Sequence, residues 1–137
     1  MLNTERDVSI KIKRVYEVPR DEDGIRILVD RLWPRGLTKE KAHVDLWLKD
    51  ISPSTQLRQW FARDASQWQE FKKRYLNELQ ERSEAIQTLK SELAKGPVTL
   101  VYSAKDEKHN GAVFIKNNIA LLSELSGERD PHTETGG

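Results

Sequence analysis

Apolar residues alternate with polar ones in some segments of the chain and recur every three or four positions in others. Alternation over residues 8–16 predicts a strand with one solvated face. A nearly continuous apolar run over residues 25–32, interrupted by Arg26, predicts a strand covered on both faces. The β-branched run over residues 98–102 predicts another strand, and residues 45–51 are ambiguous but could hold a short one.

Two short helices are predicted between the second strand and the middle of the chain. Thr38 is a good N-cap for a helix over about residues 39–44. Residues 52–54 begin a second helix. Its apolar face contains Leu57, Trp60 and Phe61.

Longer helical periodicity follows in the second half of the chain. Residues 64–67 have the capping-box pattern for the start of a helix. The periodicity continues to the Gly96–Pro97 stop, and a final helix is predicted over residues 112–125. The buried positions of the long periodic stretch are Trp68, Phe71, Tyr75, Leu76, Leu79, Ile86, Leu89 and Leu93.

Strands that alternate with helices indicate an α/β protein, a three-layer αβα sandwich with a mostly parallel central sheet. This is a Rossmann-like arrangement without the dinucleotide motif. The strand at 98–102 should lie beside the one at 25–32 in the middle of the sheet. The charged segment 17–24 is short for a helical crossover, so we expect the first two strands to pair antiparallel unless an extended loop makes them parallel. One domain is expected over residues 1–125, with a disordered tail over 126–137.

Composition narrows the classes of function. Lys and Arg number 23 against 22 Asp and Glu, so the chain of 137 residues has no overall field that favours nucleic acid or an anionic membrane. The absence of cysteine excludes disulfides, thiol nucleophiles and cysteine-ligated metals. No apolar run approaches the ~20 residues that span a bilayer, and the polar start of the chain lacks a secretory signal pattern. We therefore expect a cytoplasmic protein.

Polar residues cluster where two of the predicted strands end. If these strands are parallel neighbours, both ends open on the same edge of the sheet, where α/β proteins bind ligands. We predict a binding site for a small phosphorylated or carboxylated ligand at this edge. The candidate catalytic residues are Asp30 and Asp106, and the candidate ligand-binding residues are Arg31, Trp33, Arg35, Ser103, Lys105 and Asn110.

The roles expected for these residues have structural alternatives at several positions. Arginine and lysine would hold the anion, an aspartate would act as a general base or polar anchor, and Asn110 would orient the ligand. Alternatively, Asp30 and Arg31 form an ion pair that closes the sheet edge, and Trp33 is a packing residue. Asp106 or Asn110 could instead cap a helix.

Other chemistries have weak or no signals. A metal site built from Asp30, Asp106 and His109 is a weak alternative, and we assign neither a metal nor a cofactor. Phosphate-binding P-loop, dinucleotide-binding and serine-hydrolase motifs are absent from the sequence. Whether the chain is an enzyme stays open.

Two alternatives come from other classes of function. A nucleic-acid-binding protein would use a basic patch with Trp33 stacking on a base, although neighbouring acidic residues argue against it. The patch would contain Lys11, Lys13, Arg14, Arg31, Arg35 and Lys39. An interaction protein would dock a partner through residues 47–61, and a homo-oligomer is possible.

Several longer motifs occur together: LVDRLWPRGL at residues 28–37, WLKD at 47–50, LRQWF at 57–61 and LVYSAKD at 100–106. Together with Pro53–Ser54 and His109–Asn110 they resemble the YeaO-like branch of the domain-of-unknown-function family 488. The resemblance implies an α/β sandwich and a small cytoplasmic bacterial or archaeal protein, and it implies no established activity. Similar branches have a cysteine-containing segment near the second strand end, where this chain has Tyr102 and Ser103.

Overall fold

A four-stranded parallel sheet lies between two covering layers in the computed structural model, which describes residues 10–125. The strands are β1 Ile10–Arg14, β2 Ile25–Leu28, β3 Leu46–Trp47 and β4 Val98–Tyr102. They follow the order β1-β4-β2-β3 across the sheet, and all three neighbouring pairs are parallel. The predicted αβα sandwich is confirmed, with β2 and β4 adjacent at its centre. Residues 8–9 of the predicted first strand and the predicted tail lie outside the described residues.

In the described region, one α-helix lies between β2 and β3, three lie between β3 and β4, and two follow β4. They are α1 Lys39–Ala42, α2 Thr55–Arg63, α3 Trp68–Leu79, α4 Ser83–Lys95, α5 Gly111–Asn117 and α6 Ile119–Leu125. Short 3₁₀ turns cover Asp21–Asp23 and Lys49–Ile51. Within residues 10–125 no helix is both long enough and apolar enough to cross a membrane.

Of the two arrangements expected for the first two strands, the antiparallel pair is wrong, since both strands run parallel to β4. Strand β4 lies between β1 and β2, and Val98 is in register with Ile10 on one side and Ile25 on the other. The connecting residues 15–24 therefore run back along the sheet to the end at which both β1 and β2 begin. Ten extended residues reach about 33 Å, roughly twice the length of a five-residue strand, so no helix is needed for this crossover.

Alternating residues of β4 face two different hydrophobic layers. Val98, Leu100 and Tyr102 belong to the main core with residues of α2 to α6. Val101 belongs to a smaller cluster with Val15, Leu28 and Ala42, under α1 and the β1–β2 connection. The two-residue period of a strand thus divides one short apolar segment between both faces of the sheet.

A buried polar cluster lies on the second face of the sheet. The guanidinium Nη1 of Arg26 contacts Asp23 Oδ2 at 2.8 Å, and Lys13 Nζ contacts the same oxygen at 3.0 Å. Arg26 also donates to the carbonyl oxygens of Ala42 and His43. The arginine that interrupts the apolar run therefore joins the β1–β2 connection to the end of α1.

Several predicted element ends differ from the structure. Strand β2 ends at Leu28 rather than residue 32, because after the Val29 N–H bond to Val101 the chain turns away at Asp30. Helix α1 ends at Ala42 rather than residue 44, because His43 has a left-handed φ of 49°. The Thr38 cap is confirmed, since its side chain accepts from Lys41 N at 3.1 Å.

The predicted capping box at residues 64–67 is also wrong. Asp64 accepts hydrogen bonds from the amide and hydroxyl of Ser66 in a tight turn, and α3 begins only at Trp68. The long periodic segment contains two helices that are interrupted at residues 80–82. The last predicted helix is likewise divided at Asn118, whose Nδ2 donates to Phe114 O.

Candidate functional site

The ends of β2 and β4 lie side by side and open into one cavity. Its volume is about 1100 Å³. All eight candidate residues line this cavity. The complete lining consists of Arg14, Tyr16, Asp30, Arg31, Leu32, Trp33, Pro34, Arg35, Pro53, Arg58, Phe61, Ala62, Ala65, Phe71, Ser103, Ala104, Lys105, Asp106, His109, Asn110 and Gly111.

Asp30 connects the two strand ends. Its Oδ2 accepts hydrogen bonds from the backbone N and the Oγ of Ser103, each at 2.9 Å, and its carbonyl oxygen accepts from Trp47 Nε1 at 2.7 Å. Burial raises the pKa of the Asp30 carboxyl, although the Ser103 hydrogen bonds and the Arg58 charge oppose the rise. A raised pKa makes Asp30 a better base than an ordinary aspartate, but its Oδ2 is already bound within the protein.

Arg31 does not form the predicted ion pair with Asp30. Its Nε donates to Pro53 O at 3.2 Å and its Nη2 donates to Ser52 O at 3.3 Å. The first strand end is therefore held against the segment that precedes α2. Because both acceptors are neutral carbonyls, they do not neutralise the positive charge of Arg31 at the cavity wall.

Two aromatic side chains hold the loop that follows β2. The Trp33 ring packs edge-on against Trp47 with centroids 5.4 Å apart, and its Nε1 donates to Leu37 O at 2.7 Å. Tyr16 donates its hydroxyl to Arg35 O at 2.9 Å. These contacts favour the packing alternative for Trp33, which nevertheless borders the cavity.

The second strand end is a tight turn followed by a capped helix. Asp106 Oδ1 accepts from the backbone N of Lys108 and of His109, at 2.9 and 3.0 Å. The Lys108 hydrogen bond is the main cause of a lowered pKa at Asp106, which weakens it as a general base. Asn110 is the helix cap, because its Oδ1 accepts from Val113 N at 3.0 Å.

His109 lies beside Asp106 and was considered from the sequence only as a weak metal ligand. Its Nδ1 is 3.0 Å from Asp106 Oδ2, and its ring packs edge-on against Trp68. Within residues 10–125 no three His, Asp or Glu side chains are close enough to hold a metal ion. Asp30 binds Ser103, so the weak three-residue metal alternative does not form.

Positive charge is concentrated at the cavity. Five Lys and Arg residues line it against two Asp residues, although the whole chain has a formal charge of only +1. Among the described residues, the side chains of Arg35, Arg58 and Lys105 have no hydrogen-bond or salt-bridge partner. Arg14, by contrast, donates to the carbonyl oxygens of Ser103 and Ala104.

Arg58 was not among the predicted site residues. It follows the buried Leu57 and precedes Phe61 by three positions on α2, so Arg58 and Phe61 share a helix face. The sequence shows this spacing. It does not show that this face of α2 borders the ends of β2 and β4.

The basic patch of the nucleic-acid alternative is divided in the structure. Lys13 is paired with Asp23, and Lys11 donates to the carbonyl oxygen of Glu22. Both lie in the β1–β2 region and neither lines the cavity. The Trp33 ring, which would have stacked on a base, is engaged with Trp47.

Comparison with known proteins gives one family. The model described as the Inactive DUF488-N3 subclade matches residues 9–135. The chain belongs to this family. The Uncharacterized protein YeaO of Escherichia coli is 42% identical over 115 residues, which cover 84% of this chain and 100% of the relative. Uncharacterized proteins of Mycobacterium bovis and Mycobacterium tuberculosis are each 37% identical over 124 residues, covering 90% of this chain and 98% of theirs. No solved structure gives a significant match.

The family match and the 42% identity to YeaO together confirm the resemblance of the motifs. In this member, Tyr102 is buried and Ser103 uses its hydroxyl to bind Asp30. The segment after β4 therefore joins the two strand ends and contains no thiol.

Proposed function

We propose that this chain binds a small phosphorylated or carboxylated ligand in the cavity between the ends of β2 and β4, without forming a covalent intermediate. The description of the family as inactive and the lack of cysteine support binding rather than thiol catalysis. A cytoplasmic location is part of the same proposal.

The observation that carries this proposal is the set of unpaired cations at the cavity. Arg35, Arg58 and Lys105 have no acceptor among the described residues, and an anion would supply one. Arginine presents a planar fork that fits the two oxygens of a carboxylate or phosphate. Arg14 and Arg31 add charge, but their guanidinium groups already hold backbone carbonyls.

Asp30 acts in this proposal as an anchor rather than a general base. Its Oδ2 fixes the end of β4 beside the end of β2, which positions the cavity walls before a ligand arrives. Preorganised walls reduce the entropy that binding would otherwise cost. Asn110 has the same role at the start of α5, since its amide is occupied by Val113 and Asp106.

The test is a titration of inorganic phosphate, benzoate and a nucleoside monophosphate by calorimetry at low salt. Arg58→Ala should weaken binding roughly ten- to a hundredfold, the effect of losing one hydrogen bond to a charged group. Arg63→Ala removes the same charge from the same helix outside the cavity lining and should leave affinity unchanged. Absence of binding by the unaltered protein, or equal losses in both variants, would overturn the proposal.

A further inference from the structure

Apolar side chains of α2, α3 and neighbouring residues line part of the cavity wall beside Arg58, and they include two aromatic rings. Phe61 and Phe71 both line the cavity, with ring centroids 4.5 Å apart. Phe71 is buried in the core and Phe61 is half-buried. Pro53 continues the same apolar wall. An inorganic anion alone would make no apolar contact with this surface.

The loop after β2 contributes a second apolar surface. Leu32 lines the cavity and is 62% exposed, which leaves most of a large apolar side chain in water. Tyr16, 42% exposed, also lines it. Of the four large hydrophobic residues that are exposed in the described region, two therefore lie at this one cavity. Covering such surface is favourable in proportion to its apolar area.

We propose that the ligand is an anion bearing a planar aromatic ring, which packs against Phe61 and the exposed Leu32 while its charged group binds the unpaired cations. This inference rests on the proposed function and names the class of ligand. Ring contacts at 4.5–7 Å centroid separation favour an aromatic group over an aliphatic chain of similar size. A volume of about 1100 Å³ accommodates a ring together with a phosphate or carboxylate.

Three probes that share a phosphate separate the two parts of the inference. Inorganic phosphate tests the charge alone, n-butyl phosphate adds an aliphatic chain, and phenyl phosphate adds a ring. We expect phenyl phosphate to bind about tenfold more tightly than inorganic phosphate, and n-butyl phosphate to gain about threefold or less. Equal affinity of the butyl and phenyl probes would overturn the aromatic assignment.

Two variants test the location of the ring. Leu32→Ser should reduce the advantage of phenyl phosphate about threefold and leave inorganic phosphate unchanged, since it removes only exposed apolar surface. Val18→Ser is the matched control, because Val18 is 70% exposed but does not line the cavity. Phe61→Leu keeps an apolar side chain but removes the ring, and it should abolish the preference for phenyl over butyl phosphate.

The outcomes distinguish this inference from the proposed function. If no probe binds at all, the proposed function fails. If inorganic phosphate binds and phenyl phosphate binds no more tightly, only the aromatic inference fails. If Leu32→Ser and Val18→Ser have the same effect, the ring does not contact Leu32 and the proposed placement is wrong. Should Phe61→Leu not fold, the Leu32→Ser comparison still decides the location.

Discussion

Asp30 and Ser103, 73 positions apart in the chain, join the ends of the two central strands through one carboxylate oxygen. The amide and the hydroxyl of Ser103 both donate to Asp30 Oδ2 at 2.9 Å. Because these strands are parallel neighbours, both exits lie at the same edge of the sheet. The double hydrogen bond ties the two exits together at the cavity.

The Asp30→Asn variant should show a weaker dependence of stability on pH. Burial raises the pKa of Asp30 above its ordinary value of 3.8, so the folded protein holds this proton more tightly than the unfolded chain does. The contribution of Asp30 to the free energy of unfolding is therefore greatest at low pH. It declines as pH rises from about 3.8 to the raised pKa. Urea denaturation across pH 3.5–7 measures this.

Asparagine can preserve both Ser103 contacts, because one side-chain carbonyl oxygen can accept two hydrogen bonds. At neutral pH we therefore expect Asp30→Asn to be at least as stable as the unaltered protein. Asp30→Ala leaves both donors without their acceptor and should cost about 1–3 kcal/mol. A stability profile of Asp30→Asn that declines above pH 3.8 as steeply as that of the unaltered protein would contradict the assignment to Asp30.

Arg31→Ala should destabilise the fold more than Arg35→Ala. Arg31 holds the Ser52 and Pro53 carbonyls, and its loss should lower the free energy of unfolding by about 1–2 kcal/mol. Arg35 is exposed and its side chain has no partner among the described residues, so its loss should change stability by less than about 0.5 kcal/mol. Thermal and urea denaturation of both variants measure the difference. Equal stability would mean that the Arg31 hydrogen bonds contribute nothing.

Local patterns were sufficient to predict the centre of the fold. The apolar run of β2 and the β-branched run of β4 each predict a strand without reference to the rest of the chain. The polar residues that follow them predict the shared cavity once the strands are parallel. Thr38 is equally local, because a cap acts on amides three positions away.

Choices that depend on distant residues were not predictable. The insertion of β4 between β1 and β2 is a long-range pairing that the ten connecting residues do not encode. Asp64 favours both a capping box and a tight turn, and the Ser66 contacts select the turn. Arg58 became a candidate only after α2 was placed beside the sheet, and Arg31 could be assigned to the Ser52–Pro53 carbonyls only from the same placement.

The buried polar cluster predicts a large cost for Asp23→Asn. Asp23 and Arg26 side chains are each 3% exposed, and removal of the carboxylate charge leaves Arg26 and Lys13 without their counter-ion. The loss should be about 3–5 kcal/mol, as found when one partner of a buried pair is removed. The matched control is Glu70→Gln, which breaks the exposed Glu70–Arg74 pair and should cost less than about 0.5 kcal/mol.

The pH dependence of this cluster has the opposite sign to that of Asp30. Although burial opposes it, the hydrogen bonds from Arg20, Lys13 and Arg26 lower the pKa of Asp23 below its ordinary 3.8. Its contribution to stability is therefore present above pH 3.8 and is lost as pH falls through the lowered pKa. In Asp23→Asn this acid-side loss should disappear. If urea denaturation shows that the stability of Asp23→Asn falls at acid pH as much as that of the unaltered protein, Asp23 is not the group responsible.

Gly24→Ala should be more destabilising than Gly36→Ala, although both glycines have a left-handed φ of 67° and 81°. A Cβ at Gly36 meets no atom within 4 Å, so only the backbone preference is lost, at about 1 kcal/mol. A Cβ at Gly24 would collide with the Pro97 carbonyl, which accepts the Ile25 N–H at the start of β2. This overpacking adds about 1–3 kcal/mol, measurable by urea denaturation. Equal losses of stability in the two variants would show that the start of β2 moves to accommodate the added Cβ without a cost in free energy.

Arg58→Ala should raise the pKa of Asp30 further. Burial is the main cause of the raised value, and the Arg58 charge opposes it, so its removal takes away one stabilising influence on the carboxylate. A titration of the Asp30 side-chain carboxyl carbon by NMR measures this pKa directly, with Asp30→Asn identifying the signal.

Salt should raise the Asp30 pKa in the unaltered protein by screening Arg58, and should do so less in Arg58→Ala. Arg63→Ala, on the same helix but outside the cavity lining, should leave the titration unchanged. If Arg58→Ala and Arg63→Ala raise the pKa of Asp30 equally, the change reflects the net charge of the protein. The position of Arg58 near the end of β2 would then have no effect of its own.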